Sequence, residues 1–464
     1  MLAWRNLLIC LIPALLILLV PTELLQLTLA QHRLLAIFVL AALLWVFEPI
    51  PVYATSILIM ALLLLTLSNA GISPLIAPLL AGDTPQTLKY TSIFNAFSSP
   101  IIILFLGGFA LAAGASKYEL DLNLARVLLR PFGDKPVRVM LGLMLATGIF
   151  SMFMSNTATT VMMLSLLTPV LAGLPDSDPG AKGMVLAVPF AANIGGMGTP
   201  IGTPPNAIAL QYLSGEQAIS FGQWMAFGVP LAALLLLIAW LILRLLFPFA
   251  TPRLALNIDS RFRHSPQAWV VYITFALTIG LWLTEAWHGM NAYVVAILPL
   301  AVFTMTRIIT KEDLRRFNWD VIWLVAGGIA IGDALQGTGL ATALAAMIDY
   351  SLLPVLAVLA VLSLICYAMA SFMSNTATAN LILPIGAAIA TTLMQQGTID
   401  DSRGLLVVVA LSASMGMVLP VSTPPNALAY ATGRMSNRDM AVSGLLISGT
   451  GMLLMLLGGA LVLH

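Results

Sequence analysis

Apolar runs of about 20 residues, the length that spans a bilayer core, recur along this chain with short polar breaks between them. They predict helices near 6–22, 33–48, 52–69, 98–116, 183–213, 222–248, 267–286, 290–306, 319–340, 403–432 and 441–463, eleven crossings in all. Two further runs, 137–173 and 354–394, are each cut in the middle by polar residues. Each half is roughly 15–18 residues long and reaches about 22–27 Å, at or short of the hydrocarbon core. Short halves meeting at a polar tip predict two re-entrant hairpins. The run from Leu7 to Val20 is long for a secretory signal and many spans follow it, so it reads as a retained first helix.

The polar interruptions carry a repeat. Ser155-Asn156-Thr157-Ala158-Thr159 returns as Ser374-Asn375-Thr376-Ala377-Thr378, 219 positions later. Thr203-Pro204-Pro205-Asn206-Ala207 returns as Thr423-Pro424-Pro425-Asn426-Ala427, and Gly107-Gly108 as Gly327-Gly328, both 220 positions on. The chain is two copies of one unit. Its fifth and tenth crossings are broken as well, because Asn193 to Pro205 and Leu419 to Pro425 hold too much Gly and Pro for continuous helix. Unwound backbone at membrane depth survives only where protein or water surrounds it.

Composition turns these runs into a class. With 60% hydrophobic and 8% charged residues, against about 25% charge in soluble domains, the chain reads as an all-α polytopic membrane protein. Its net charge of +1 and scattered Lys and Arg leave no patch for nucleic acid. Cys10 and Cys366 lie in apolar runs and form no disulfide or metal pattern.

Charge placement orients the helices. If the hairpins do not cross, seventeen of the twenty Lys and Arg fall on one side, with only Arg33, Lys89 and Arg403 on the other. The larger set is then cytoplasmic, the N-terminus inside and the C-terminus outside. Five crossings separate the two Gly-Gly helices, and an odd number inverts the second copy relative to the first. One hairpin enters from the cytoplasm after the basic 117–138 loop, the other from outside after Asp349. Their tips can meet near the midplane, where transporters built of inverted repeats hold substrate.

Carbonyl and hydroxyl oxygens at such breaks suit Na⁺, while half-helix N-termini suit an anion. Lys, Arg, His and acids are absent from all four motifs, which favours cation coupling over a proton relay. Ser, Thr and Asn also serve as interhelical hydrogen-bonding glue, and Gly as a close-packing residue. Repetition beside the Pro-Pro breaks favours a site for the SNT and TPP motifs. The Gly-Gly pairs, Met152, Met154 and Met373 read as packing. Glu48, at a turn, and Asp333 read as structural or water-facing. Trp4, Trp45, Trp240, Trp282, Trp287 and Trp323, near helix ends, read as interfacial anchors.

The paired SNT and TPP residues, in order over nearly the whole chain, resemble the divalent anion–sodium symporter family, which includes bacterial sodium/dicarboxylate transporters and the solute carrier 13 group. The resemblance implies one di- or tricarboxylate held between two sodium sites. Ser155, Asn156, Thr157, Thr203, Pro204, Ser374, Asn375, Thr376, Thr423 and Pro424 would contact the substrate. Ser151, Ser155, Asn156 and Gly202 would form the first sodium site, and Ala370, Met373, Asn375 and Ser422 the second, partly through main-chain oxygens. Ala370 lacks the hydroxyl that Ser151 offers in the first copy. The resemblance also implies a homodimer in the lipid of the plasma (bacterial inner) membrane. Its scaffold would comprise 1–136 and 251–350, and its elevator-like transport domain 137–250 and 351–464.

The function expected is sodium-coupled symport of C4-dicarboxylates such as succinate, malate or fumarate. Dicarboxylate exchange, or citrate or sulfate as substrate, is the alternative within transport. An intramembrane hydrolase is the alternative from another class, and it would need a metal motif, paired intramembrane aspartates or a Ser-His dyad. The four histidines, His32, His264, His288 and His464, fall at predicted loops or ends, so no enzyme is expected.

Overall fold

Long apolar segments satisfy their backbone in lipid by forming helices. The computed structural model is helical except for one isolated bridge between Ser68 and Leu88, among its described residues 4–81, 86–172, 174–175, 178–254, 260–347 and 353–462. Asp349, the domain boundary at 350 and His464 lie outside them. Helices α1 (Trp4–Leu19), α2 (Leu29–Phe47) and α3 (Val52–Thr66) precede α4 (Pro100–Lys117), which carries Gly107-Gly108. A short α5 (Leu120–Leu129) leads into the first interrupted stretch, α6 (Pro136–Ser151) and α7 (Asn156–Ala172). The broken crossing follows as α8 (Pro179–Gly196) and α9 (Pro204–Gln211), and α10 (Phe221–Leu246) ends the first copy.

The second copy begins with α11 (Pro266–Leu283), α12 (Ala292–Met305) and α13 (Trp319–Gly337), which carries Gly327-Gly328. It continues through α14 (Leu340–Ala346) to its own interrupted stretch, α15 (Val355–Phe372) and α16 (Asn375–Gln395). Its broken crossing is α17 (Arg403–Ser414) and α18 (Pro424–Tyr430), and α19 (Asn437–Val462) closes the chain's described part. Proline opens the first turn of α4, α6, α8, α9, α11 and α18, where its missing N–H forfeits no bond.

Eight helices among the described residues are long and apolar enough to cross a membrane, and five apolar helices are shorter. The chain is a helical membrane protein. The interrupted stretches have halves of 16, 17, 18 and 21 residues. The last exceeds the expected 15–18 because α16 runs on through Pro384, and α15 and α16 both reach crossing length. The connections 70–97 and 117–136 contain the helices Ser73–Leu80 and Tyr90–Asn95 and α5.

The packing repeats with the sequence. Helix α4 packs on α12 and α13 on α3, so each copy completes the other. A Cβ at Gly107 would overlap Ala296 O, and one at Gly327 would overlap Ser56. Those two glycines therefore make the close approach expected of them. Helix α6 packs on α8 and α15 on α17, while α8 meets α18 and α17 meets α9. Trp45 and Trp282 depart from expectation. Both are fully buried, and their Nε1–H groups donate to Val52 O (3.2 Å) and Ala292 O (3.0 Å), the first residues of α3 and α12. An indole buried against a helix N-terminus staples two helices and anchors nothing in the interface. Trp287, 88% exposed, keeps the exposure that an anchor requires. His32 also differs: it is buried in the first turn of α2, with Nε2 2.8 Å from Ile17 O.

Candidate functional site

Each interruption restarts a helix, and a restart needs a cap for its free N–H groups. Ser155 Oγ accepts from Ala158 N (3.2 Å) at the head of α7, and Ser374 Oγ accepts from Ala377 N (3.1 Å) at the head of α16. Thr423 Oγ1 accepts from Asn426 N (3.3 Å) at α18. Thr203 holds the same place at α9 without a side-chain cap bond. The serines and threonines of the motifs thus first make the breaks possible.

The four restarts face one cavity of about 230 Å³ between the copies. All ten residues expected to contact substrate line it: Ser155, Asn156, Thr157, Thr203, Pro204, Ser374, Asn375, Thr376, Thr423 and Pro424. Gly108, Phe105, Phe109 and Phe153 add an apolar wall, and Met154 lines it as well. No Lys, Arg or His does so among the described residues, and Asp320 is the one ionisable side chain, exposed beside Asn318 at the start of α13. The heads of α7, α9 and α16 direct partial positive charge into this space. The cavity can therefore hold an anion through helix ends, hydroxyls and amides alone.

Beside the first tip lies an oxygen cluster. One end of the Asn156 amide stands 2.6 Å from Ser151 Oγ, 3.1 Å from Gly202 O and 3.2 Å from Ala192 O. With its NH₂ there, the amide donates to all three. With Oδ1 there, four oxygens converge, an arrangement that a hard monovalent cation stabilises. Ser151, fully buried, lies behind the cavity wall, and its Oγ is also 2.7 Å from Ala192 O.

The second tip is built differently. Asn375 Oδ1 is buried without a hydrogen-bond partner among the described residues, an acceptor that a cation or a substrate hydroxyl could satisfy. Ser422 Oγ donates to Ser371 O (2.7 Å) and accepts from Leu419 N (3.0 Å). Ala370 and Met373 are buried behind the wall, and Ala370 packs against Gly416. In the first copy the carbonyl corresponding to Ser371 O is Met152 O, which accepts from Thr199 Oγ1. Each tip is thus tied to its neighbouring break by a hydroxyl, but from a different position.

Three asparagines matter in ways their motifs did not announce. Asn206 Nδ2 donates to Gly196 O (3.2 Å), Met197 O (3.4 Å) and Thr199 O (2.8 Å). Asn426 Nδ2 donates to Met417 O (2.8 Å) and Leu419 O (3.0 Å). The TPPNA asparagines therefore consume the carbonyls that end the preceding half-helices. Asn193, on α8, is buried and lines the cavity, and its Nδ2 bonds Thr423 Oγ1 (3.2 Å) and Asn426 Oδ1 (3.3 Å) across the two copies. A lone amide inside an otherwise apolar helix was its available signal. Asp333 lies outside the cavity, where Gln211 Nε2 donates to its Oδ1 at 3.1 Å.

Comparison with known proteins bears out the resemblance carried by the motifs. The family described as citrate transporter (CitMHS) matches residues 42–401. The chain is 30% identical to the sodium-dependent dicarboxylate transporter SdcS of Staphylococcus saprophyticus over 88% of its own length and 82% of that protein. It is also 30% identical, over 90% of its length, to the inorganic phosphate transporter PHO87 of Saccharomyces cerevisiae, of which it covers 45%. The chain spans about half the length of the yeast relatives it matches. Its fold is similar to the crystal structure of the YdaH transporter of Alcanivorax borkumensis, with a TM-score of 0.59 at 16% identity, covering 88% of this chain and 97% of that one.

Proposed function

Because the chain belongs to the citrate transporter family, matched over residues 42–401, we propose that it is a secondary transporter that carries a C4-dicarboxylate such as succinate, malate or fumarate inward together with Na⁺. The observation that carries this reading is the cavity between the SNT and TPP breaks, lined by helix N-termini, hydroxyls and amides and, among the described residues, by no Lys, Arg or His. A dianion in such a place needs countercharge, and co-bound sodium supplies it where basic side chains do not. The oxygen cluster at Ser151, Asn156, Ala192 and Gly202 and the unpartnered Asn375 Oδ1 fit two cation positions flanking the anion.

In this reading the interrupted stretches are re-entrant hairpins. With the broken crossings, α10 and α19 they form a domain that moves as an elevator against a dimeric scaffold of α1–α4 and α11–α13. Val52, Asn318 and Asp320 stand on the cavity's margin at the starts of α3 and α13. With the orientation expected from the charge count those helix ends are cytoplasmic, and in this reading the cavity opens inward.

Uptake of labelled succinate into proteoliposomes tests the reading. An inward Na⁺ gradient should drive accumulation, and equal uptake in choline medium would sink symport in favour of exchange. Inorganic phosphate is the second substrate reading. It rests on the yeast relative's name and on helix N-termini, which bind tetrahedral oxyanions equally well. Competition by phosphate, citrate or sulfate against succinate ranks the candidates.

A further inference from the structure

We propose that Asn193 is a positioning residue that sets cation affinity at the first tip by fixing the orientation of the Asn156 amide, and that this device exists in one copy of the repeat only. The inference rests on the sodium-coupled reading above and deepens it. Its starting point is Asn426, whose Nδ2 is committed to Met417 O and Leu419 O. An amide with its NH₂ committed on one side must present its oxygen on the other. Asn426 Oδ1 accordingly accepts from Asn193 Nδ2 at 3.3 Å, and Thr423 Oγ1 accepts from the same nitrogen at 3.2 Å. Asn193 in turn presents Oδ1, which faces Asn156 Nδ2 at 3.5 Å. That contact favours the Asn156 orientation in which Oδ1 joins Ser151 Oγ, Ala192 O and Gly202 O, against those three oxygens, which by themselves favour the NH₂ in its place. In the reverse orientation Asn156 satisfies the three oxygens itself and leaves no place for a cation. Three amides thus pass an orientation from the second copy's break to the first copy's tip, and cation binding at that tip favours the same alignment.

The second copy shows what happens without the middle member. Ala413 stands 220 positions after Asn193, on α17, which packs on α9 as α8 packs on α18. Asn206 Oδ1, the counterpart of the Asn426 Oδ1 that Asn193 engages, is buried without a partner among the described residues. Buried amide oxygens are seldom left unpaired, and the second copy offers no amide at position 413 to engage this one.

Sodium titrations of the protein in proteoliposomes and in detergent test the proposal. Asn193→Ala should raise the Na⁺ concentration for half-maximal succinate uptake about ten-fold, the size of one lost amide bond at a charged site. Because Asn193 also lines the cavity, the succinate KM at saturating Na⁺ is read beside it and should change by less than the sodium dependence does. The thermal stabilisation that NaCl gives the substrate-free protein should shift to higher salt by the same factor. Asn193→Ser, too short to span Asn156 and Asn426, should behave alike and serves if the alanine variant does not fold. Combining Asn193→Ala with Ser151→Ala should give less than the product of the single effects, whereas combining it with Ser422→Ala should give the full product. A sodium response unchanged in both Asn193 variants, or a loss shared equally between KM and sodium dependence, overturns the relay while leaving symport intact. A parent protein indifferent to Na⁺ overturns the functional reading and the relay together.

Discussion

The two tips carry the same five letters and are not the same site. Around Ser155-Asn156-Thr157 the interrupted stretch supplies a hydroxyl from Ser151 and the break supplies the bare carbonyl of Gly202. Around Ser374-Asn375-Thr376 the interrupted stretch supplies Ala370 and the break supplies the Ser422 hydroxyl, which turns back to Ser371 O. The first copy gathers oxygens about its amide, while the second leaves its amide oxygen unpartnered. Identical motifs therefore fix the helix breaks, and the residues four or five positions away fix the chemistry. A duplicated chain can keep its architecture symmetric and let the surroundings of its two tips diverge.

The most severe way to break the comparison is to remove its centre. Asn156→Ala and Asn375→Ala should each lower sodium-driven uptake roughly 100-fold, the loss of two bonds to charged ligands. Retained sodium-dependent uptake in both would refute the site. Exchanging the residues at the breaks comes next. Gly202→Ser places a Cβ against the Gly196 backbone and should destabilise the protein by about 1–3 kcal/mol through overpacking, whereas Ser422→Gly gives up the hydroxyl bonds to Ser371 O and from Leu419 N, about 1 kcal/mol each. Melting temperatures of the two variants check this, and an unchanged value in either would mean that its break is not packed or bonded as described.

The helix pairs α2–α3 and α11–α12 give the symmetric control. Trp45→Phe and Trp282→Phe each remove one indole bond to a helix start and should lower stability by a similar ~1 kcal/mol. A difference well above that would extend the asymmetry to these helices.

The smallest effect concerns the heads of α8 and α17. Asp178 caps α8 and accepts from Gly180 N, Ala250 N, Thr251 N and Thr251 Oγ1, at 2.7–3.1 Å. Burial alone would raise its carboxyl, but the Thr251 hydroxyl and the three backbone N–H groups together hold it below its usual value. A depressed folded value means that the stabilisation is present above the unfolded value near 3.8 and lost as pH falls through the folded one. Ser402, at the head of α17, makes no such cap. Melting temperature below about pH 4 should accordingly fall less steeply in Asp178→Asn than in the parent. Parallel acid profiles would remove Asp178 from the list of differences.

Much of this was legible because lipid leaves little freedom. An SNT pentapeptide or a Pro-Pro inside an apolar run marks a break once it returns at a fixed offset, and the offset marks a repeat. The cavity lining follows from those two facts. The roles of Asn193, Asn206 and Asn426 were not legible, because their bonds reach carbonyls seven or more positions away or across the copies, distances that only the folded loops define. Trp45 and Trp282 misled for a related reason. Nearness to a helix end is shared by interfacial and stapling tryptophans, and only packing separates them.

The exchange of partners between the copies, α4 on α12 and α13 on α3, bears on how the chain is made. Helix α4 leaves the ribosome about 190 residues before α12, a delay of roughly 10–40 s at ordinary elongation rates. Through that interval the Gly107 face lacks the helix that covers it in the finished fold. Completion of the first half must await the second, so biogenesis of this protein is governed by its late helices, and truncation after α10 should yield an insertion intermediate and no half-transporter.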